Sequence, residues 1–532
     1  MPPVLEPNRN CCPLARASRF ALLVDGSNYY RTLAEAIPRA RHTVAIVGWD
    51  LDSRVQLGPG AGVEPPLPPL RDFLPAIADQ NPDLNIYILG WDFPVLFANV
   101  RDPKLVLGQD PFNHPRVHLK FDSTHPPGAS HHQKIVVIDD CLAFAGGMDL
   151  AGGRWDSPEH RACDPRRPGE DGPYPPSHDV QAMVDGEAAR ALAGIVRERW
   201  YRATGTAIPA AAHTRDCWPD RITPDLVNVG VGISRTDFGA DPGGGCREIE
   251  QLHLDLMAAA RRFIYIENQY LTSATLVTAL CRRLDEADGP EVVIVLPLNN
   301  SGWLEERTIE VLRFDSVRRL RRTDRFGRLR ICYPVVPDLG EQSIAVHSKV
   351  LIVDDRLLRV GSSNLTNRSM RLDTECDLTI EAASPAQQSG IARLRNCLLG
   401  EHLDMTAEAV EAFLASDGSL VRLVDARSSG PRCLRDLPSE DRSSEQILAD
   451  ELVDPSGPMT PGVVIEGLAA TVVDRPVKRL LPVALIGVGL AVAGLACWRR
   501  VRPRSLRPTP RPAGDPRPPG SARRRAPSNP AP

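Results

Sequence analysis

The stretch HQKIVVID at residues 132–139 decides the fold, because the chain carries the same pattern a second time. The second copy is HSKVLIVD at residues 347–354, and its His, Lys and Asp each follow their counterparts by 215 positions. In both copies, four apolar and mostly β-branched residues separate the lysine from the aspartate, which predicts a short buried strand. Two copies at one interval predict two half-sites that meet in a single pseudo-symmetric structure.

The order of predicted helices and strands also repeats around the two copies. Residues 33–50 predict an amphipathic helix followed by an apolar strand, and residues 256–268 predict the same order. A helical stretch and a further strand follow in each half, at 84–89 and 291–296. Short apolar strands that alternate with helices are typical of an α/β fold. We therefore predict two pseudo-symmetric lobes of mixed sheets flanked by helices, with one active site at their interface.

Changes in composition divide the chain into five predicted parts. Two segments rich in Pro and Gly, 57–70 and 163–177, are predicted to be surface loops of the first lobe. The predicted parts are a first lobe at 18–204, a second lobe at 207–400, a helical or linker region at 401–479, a transmembrane helix at 480–498 and a disordered Pro/Arg-rich tail at 499–532.

The predicted transmembrane helix at 480–498 rests on 19 uncharged residues with two basic residues on either side. This length is sufficient to cross a bilayer, although a buried helix is the alternative. Two observations disagree on its orientation. The arginines after it favour a cytoplasmic tail. No apolar signal segment is visible in the first twenty residues, which favours a cytoplasmic catalytic domain. We expect a single-pass membrane protein whose catalytic domain is cytoplasmic.

Charge is unevenly distributed along the chain. The formal net charge is −4, but residues 499–532 contain ten arginines and one acid, so the remainder is near −13. A body this acidic is a poor partner for nucleic acid, and we expect none. The twelve cysteines are scattered without the spacing of a metal site, which predicts neither a disulfide framework nor a bound metal.

The repeated motif suits chemistry at a phosphodiester. One of His132 and His347 would attack phosphorus while the other protonates the leaving group, and water or an alcohol would then release the product. Lys134 and Lys349 each lie two residues after their histidine, so they would share its face of the strand and neutralise charge on the phosphate. This arrangement requires no metal or cofactor.

Further residues at matched positions complete the predicted site. Gly147 and Ser362 would let the backbone approach the phosphate, and Asp149 and Asn364 would hydrogen-bond there. The predicted catalytic set includes both motif aspartates, for which we expect a structural role in the turn that ends each strand. The two aspartates are Asp139 and Asp354.

A catalytic histidine needs an acceptor that orients its ring. Asp179 and Glu375 each lie on a predicted strand after the motif of their own lobe, and we predict that they are these acceptors. Histidines without a partner pattern, such as His160 and His178, are read as ordinary packed or solvated residues.

These residues resemble the phospholipase D superfamily, whose mark is the doubled HxKxxxxD motif. The resemblance covers about residues 22–382. It is most detailed with true phospholipases D of bacterial and eukaryotic type. It rests on the following segments: HHQK at 131–134, GGMDL at 146–150, GRWD at 153–156, YIENQY at 265–270, VHSK at 346–349, GSSNL at 361–365 and NRSM at 367–370.

The resemblance implies a phosphohistidine intermediate and hydrolysis of phospholipid headgroups to phosphatidic acid, with transfer to alcohols as a possible outcome. It implies that His132 is the nucleophile and His347 the acid, although the residues alone allow the reverse. The alternative functions are a cardiolipin-synthase-like phosphatidyltransferase, a nuclease of the same superfamily and a non-catalytic membrane scaffold. The acidic body disfavours the nuclease, and the intact motifs disfavour the scaffold.

Overall fold

The fold is described by a computed structural model, which covers most of the chain before residue 459. The described residues are 2–58, 67–92, 102–106, 109–169, 172–211, 215–239, 245–299, 303–340, 342–438 and 454–458. Within these ranges no helix combines the length and the apolar character that crossing a membrane requires. The predicted transmembrane helix at 480–498 and the predicted tail at 499–532 lie outside the described residues.

The first half of the fold alternates strands with helices. Its strands are β1 (Leu14–Val24), β2 (Thr43–Gly48), β3 (Asn85–Trp91), β4 (Val117–Asp122), β5 (Ile135–Ile138), β6 (Leu142–Gly146), β7 (Ser177–His178) and β8 (Val180–Asp185). Its helices are α1 (Asp25–Ala36), α2 (Leu70–Gln80), α3 (Pro103–Val106) and α4 (Gly186–Thr204), with a 3₁₀ turn at Ile37–Arg39.

The second half repeats this order and then extends it. Its strands are β9 (Leu226–Asp237), β10 (Cys246–Arg247), β11 (Phe263–Glu267), β12 (Glu291–Val295), β13 (Leu329–Val335), β14 (Ala345–Val346), β15 (Val350–Val353), β16 (Leu357–Gly361), β17 (Glu375–Glu381) and β18 (Cys433–Asp436). Its helices are α5 (Glu248–Ala259), α6 (Ala274–Asp285), α7 (Trp303–Thr323), α8 (Asn367–Arg371), α9 (Pro385–Leu403), α10 (Ala407–Asp417) and α11 (Leu420–Ala426).

One mixed sheet runs through both halves. Its strand order is β18-β13-β12-β11-β15-β16-β17-β9-β1-β8-β6-β5-β2-β3-β4. Outward from the β9–β1 junction, the strands of the first half and those of the second half follow one another in equivalent order. This is the pseudo-symmetry that the repeat predicts. The mixed sheets predicted for the two lobes form one continuous sheet, because β1 pairs antiparallel with β9 as well as with β8. This pairing satisfies the main-chain N–H and C=O groups of both long strands.

Helices α4 and α9 cover the centre of the sheet and help to join the halves. Leu192 and Trp200 of α4 belong to the same buried apolar cluster as Leu394 and Leu398 of α9. That cluster also contains strand residues from both halves, and a further cluster lies within each half. Burial of apolar surface therefore supports the same union of the lobes that the sheet makes.

The boundary predicted at residue 400 divides a continuous helix. Helix α9 ends at Leu403, so Glu401 and His402 belong to its last turn. Strand β18 then pairs antiparallel with β13, with Cys433 opposite Val335. Residues 401–438 therefore contain the helices α10 and α11 and the strand β18 and are folded with the second half, and both halves belong to one compact unit, Met1–Gly467.

Candidate active site

The two motif strands, β5 and β15, bring both motif histidines to the junction of the halves. Each histidine precedes its strand and is held through its main chain by the opposite half. The N–H of His132 donates to the carbonyl oxygen of Thr374 at 2.9 Å, and the N–H of His347 donates to that of His178 at 2.8 Å. The strand pair β7–β14 makes a further main-chain link of this kind, with Val346 opposite His178.

Each histidine ring is oriented by a carboxylate from the other half. Nδ1 of His132 lies 3.0 Å from both carboxylate oxygens of Glu375, and Nδ1 of His347 lies 2.7 Å from Oδ2 of Asp179. The structure thus brings together all four of the predicted histidines and orienting acids. Because Nδ1 is engaged in both rings, Nε2 is the nitrogen available for reaction.

Small and hydroxyl residues position the two orienting carboxylates. Oγ of Ser369 donates to Glu375 at 2.7 Å, and Oγ of Ser362 donates to its other oxygen. A Cβ at Gly147 would lie only 2.1 Å from Oδ1 of Asp179. We expected Gly147 and Ser362 to let the backbone approach a phosphate. In the structure, Gly147 makes room for Asp179 and Ser362 binds Glu375, and the approach of the backbone to a phosphate stays a prediction.

The two lysines sit in different surroundings. Nζ of Lys134 lies 3.2 Å from Oδ2 of Asp149, which makes a buried ion pair. Nζ of Lys349 instead donates to Oε1 of Gln269 at 3.3 Å, and burial lowers the pKa of this lysine to about 7 although Asp179 opposes the shift. Asn364, the counterpart of Asp149, supplies an amide where the first half has a carboxylate.

The backbone around Asp149 and Asn364 differs as well. Oδ1 of Asp149 accepts the N–H groups of Trp49 and Asp50, at 2.8 and 3.2 Å. The N–H of Asn364 donates to Ser369 at 3.1 Å, while its buried Oδ1 has no hydrogen-bond partner in the described parts of the chain. Both residues therefore lie at the site as predicted, in different roles.

Burial and the two lysines keep both imidazoles neutral in the absence of substrate. The pKa of His132 is lowered well below its usual value by burial, with Lys134 and Lys349 adding to the effect. Burial also lowers the pKa of His347, followed by the charges of Lys349 and Arg154. A neutral imidazole with a proton on Nδ1 presents a lone pair on Nε2, the form that a nucleophile requires.

The two motif aspartates lie away from this chemistry, at the opposite ends of their strands from the histidines. Asp139 accepts the N–H groups of the three residues that lead into β2, at 2.6 to 2.8 Å. Asp354 accepts the equivalent three groups before β11, at 2.5 to 2.9 Å. Their carboxylates tie each motif strand to its neighbour, so the structural role expected for them is confirmed and their place in the predicted catalytic set was wrong.

Several residues at the site were missed as functional positions in the sequence. Ser369 and Gln269 bind Glu375 and Lys349, and the charge of Arg154 acts on His347. All three lie in segments that carry the family resemblance, which was the only available signal. His178 was read as an ordinary histidine, yet its carbonyl holds His347 and its ring is completely buried.

Two family models match the chain, and each match contains one motif. The model described as "Phospholipase D" matches residues 120–215, and the model described as "Cardiolipin synthase, PLD-like domain" matches residues 254–390. The chain belongs to the phospholipase D superfamily. The cross-paired histidines lie one in each matched segment, and they are the candidate active site of this superfamily member.

Curated relatives of this superfamily member are mostly longer proteins. Phospholipase D A of Dictyostelium discoideum is 28% identical over 67% of this chain and 32% of its own length. Phospholipase D1 of Saccharomyces cerevisiae is 24% identical over 71% of this chain and 28% of its own length. The chain thus spans about a third of the length of these two relatives. Among solved structures, phosphatidylserine synthase of Haemophilus influenzae is 15% identical, with a TM-score of 0.48, over 78% of this chain and 97% of that chain.

Proposed function

We propose that this chain is a phosphodiesterase of the phospholipase D type, which hydrolyses phospholipid headgroups to phosphatidic acid. The observation that carries the proposal is the crossed pairing of His132 with Glu375 and of His347 with Asp179. It presents two Nε2 atoms to one site, as nucleophile and proton donor require. Curated phospholipases D among the relatives support a phospholipid as the substrate.

In the first step, Nε2 of His132 attacks phosphorus and the bond from phosphorus to the headgroup oxygen breaks. The leaving alkoxide takes a proton from His347, whose protonated form is favoured by the negative phosphodiester. We assign His132 as nucleophile because its side chain is 16% exposed, against 7% for His347. Lys134 and Lys349 stabilise the charge that develops on the non-bridging oxygens.

In the second step, a water molecule attacks the phosphohistidine. His347 now accepts the proton of the water, the bond between phosphorus and nitrogen breaks, and phosphatidic acid leaves with His132 restored. A primary alcohol that replaces water gives a phosphatidylalcohol by the same route. Every step uses side chains of the two half-sites, and none requires a metal or cofactor.

The test is to incubate the purified full chain with vesicles of mixed phosphatidylcholine, phosphatidylethanolamine and phosphatidylglycerol, with and without ethanol. Mass spectrometry should detect phosphatidic acid and free headgroup, and phosphatidylethanol when ethanol is present. A His132→Ala/His347→Ala double variant serves as the blank. Absence of all these products with a folded wild-type chain would overturn the proposal.

A cardiolipin-synthase-like phosphatidyltransferase is the second candidate, favoured by the description of the family model that matches residues 254–390. It uses the same covalent step but transfers the phosphatidyl group to the hydroxyl of a second phosphatidylglycerol. Vesicles of phosphatidylglycerol alone separate the two activities. Cardiolipin with little phosphatidic acid would establish the transferase instead of the hydrolase.

We further propose that residues 480–498 anchor the catalytic domain to a membrane. The support is the uncharged 19-residue sequence and its basic flanks. A truncation after residue 467 should then move the protein from the membrane fraction to the soluble fraction of a cell lysate. Retention of the truncated chain in the membrane fraction would contradict the anchor.

A further inference from the structure

A cluster of buried acids and histidines adjoins Asp179 within the described part of the chain. We call these residues the inter-lobe cluster, because both halves of the fold contribute to it. Its members are Asp25, Asp156, His160 and His178 from the first half and Tyr265, Glu267, Glu401 and His402 from the second half. All are buried except Glu401, whose side chain is 11% exposed.

The ring of His178 bridges the two halves through both nitrogens. Nδ1 lies 3.2 Å from Oδ1 of Asp25 and 2.9 Å from Oε1 of Glu401. Nε2 lies 2.9 Å from Oε2 of Glu267. A neutral imidazole carries only one N–H, so donation to carboxylates on both sides requires the imidazolium form.

His160 repeats this arrangement beside it. Its Nδ1 lies 2.8 Å from Oδ2 of Asp156, and its Nε2 lies 3.0 Å from the same Glu401 oxygen that His178 approaches. Glu401 therefore lies between two imidazolium rings. Four carboxylates in so small a buried volume need such cations, because an isolated buried carboxylate is strongly disfavoured.

Three more contacts involve the carboxylates of the cluster. The guanidinium Nε of Arg167 lies 3.5 Å from Oδ1 of Asp156. The hydroxyl of Tyr265 donates to Oε1 of Glu267 at 2.6 Å, and Nε2 of His402 lies 3.3 Å from the same oxygen. Burial lowers the pKa of His402, which makes it a neutral donor.

The main chain connects this cluster to the second catalytic histidine. The carbonyl oxygen of His178 accepts the N–H groups of His347 and Ser348, at 2.8 and 3.2 Å. The next residue, Asp179, orients the ring of His347 through its carboxylate. Its carbonyl in turn accepts the N–H of Asp25 at 2.8 Å. A displacement of His178 would therefore move both the backbone and the carboxylate that hold His347.

We propose that the His178 imidazolium is a positioning group that ties the two halves together and fixes Asp179 against the ring of His347. Its effect on turnover rests on the proposed function, whereas its effect on stability does not. Loss of the bridge should lower kcat more than it raises KM, because the phosphate-binding lysines are unchanged while His347 loses its alignment.

The pH dependence of stability follows from the charge of the two rings. Burial opposes the charge of His178, but Glu267, Glu401 and Asp25 raise its pKa well above the usual value. Burial likewise opposes the charge of His160, while Asp25, Asp156 and Glu401 raise its pKa to about 9. A raised pKa gives stability that is complete below the unfolded value of about 6.5 and is lost as pH rises through the folded value.

A divalent cation is the alternative occupant of the cluster. The ligand atoms of Asp25, His160, His178 and Glu401 all lie within 4.8 Å of one another, so one ion would take the place of two protons. Metal-bound histidines are neutral, and protons compete with the metal. Stability would then rise as pH increases from about 5 to 7, which is opposite in sign to the imidazolium bridge.

The first experiment measures the melting temperature of the wild-type full chain from about pH 6 to 10, with and without EDTA, together with its metal content. If the imidazolium bridge exists, the melting temperature should fall above about pH 7 and should not change with EDTA. The protein should then carry much less than one metal ion per chain. A stoichiometric metal, or stability that rises with pH and collapses in EDTA, would overturn the proposal.

The second experiment compares His178→Gln with His253→Gln. His253 is an equally buried histidine outside the cluster, bonded through Nδ1 to the carbonyl of Ile249 at 2.9 Å. We expect kcat per folded His178→Gln molecule to fall about 100-fold with KM within about threefold of wild type, and a flatter loss of stability at alkaline pH. His253→Gln should keep the wild-type kcat and pH dependence.

A kcat for folded His178→Gln within about threefold of wild type would refute the positioning role. If His178→Gln does not fold, Glu401→Gln tests the same bridge, because Glu401 is its most exposed member. If Glu401→Gln lost stability at alkaline pH as the wild type does, the bridge would be refuted. If the wild type turns over no phospholipid, the proposed function fails, while the melting experiment still decides whether the imidazolium bridge exists.

Discussion

The two half-sites have the same backbone but different charges beside their lysines. In the first half, Lys134 is paired with Asp149. In the second half, the equivalent position is Asn364, and burial lowers the pKa of Lys349 to about 7. The duplicated fold thus supplies one lysine in a buried ion pair and one lysine that can lose its proton near neutral pH. Symmetry of the backbone does not impose symmetry of the charges around it.

The largest expected effect is the loss of either histidine. His132→Asn and His347→Asn should each reduce kcat by about 10⁴-fold or more, because one site requires both rings. A phosphatidyl substrate with a p-nitrophenol leaving group separates their roles, since this group needs no protonation. His347→Asn should release one equivalent of nitrophenolate in a burst, and His132→Asn should release none. The opposite pattern would exchange nucleophile and acid.

The orienting carboxylates should matter next. Glu375→Gln and Asp179→Asn should each lower kcat on natural phospholipid by about 10²- to 10³-fold, because a misoriented ring presents the wrong tautomer. On the p-nitrophenyl substrate, the rate of the nitrophenolate burst should return towards the wild-type rate in Asp179→Asn. In Glu375→Gln the burst should stay slow. Equal bursts in the two variants would show that the crossed pairing does not divide the roles of the histidines.

Asn364→Asp tests the difference in charge directly. If Lys349 must be protonated to bind the phosphate, wild-type kcat/KM should fall as pH rises through about 7, where this lysine loses its charge. A carboxylate at residue 364 should raise the pKa of Lys349 and move this alkaline limb upward by about one unit. Asn228→Asp adds the same charge at an exposed, distant position and should leave the pH profile unchanged. If the alkaline limb of kcat/KM lay at the same pH in Asn364→Asp as in the wild type, Lys349 would not be the group that sets this limb.

The smallest effect on catalysis should come from the motif aspartates. Asp139→Asn and Asp354→Asn each weaken three backbone hydrogen bonds, and should lower the free energy of unfolding by about 2 kcal/mol. Asp139 is fully buried and Asp354 is only partly buried, so we expect the larger loss at Asp139. Chemical denaturation measures the stability, and kcat per folded molecule should stay within about threefold of wild type. A large drop in kcat without a loss of stability would return these residues to the catalytic set.

The local elements of the fold could be predicted from the sequence, because they depend on neighbouring residues. The β-branched runs of the motif strands and their shared interval indicated β5, β15 and the pseudo-symmetry. The crossed pairs could not be predicted in the same way, since 243 residues separate His132 from Glu375 and 168 separate His347 from Asp179. No local pattern says which acid faces which ring.

The single sheet and the inter-lobe cluster were missed for a related reason. The first residues of β1 include Arg16 and Arg19, so its apolar run begins only at Phe20, and the first lobe was predicted to begin at 18. Its partner β9 is recognisable only once the halves are docked. The ring partners of His178 are likewise distant from it in sequence, because Asp25, Glu267 and Glu401 come from three separate elements, α1, β11 and α9.

The junction between β1 and β9 has a consequence for any attempt to express one half alone. A chain cut between α4 and β9 would leave β1 or β9 as an unpaired edge of eleven or twelve residues, in place of a central pair. Long unprotected edges are templates for pairing with other chains. Each isolated half should therefore aggregate or dimerise through this strand, and solubility should return when the two halves are produced together in one cell.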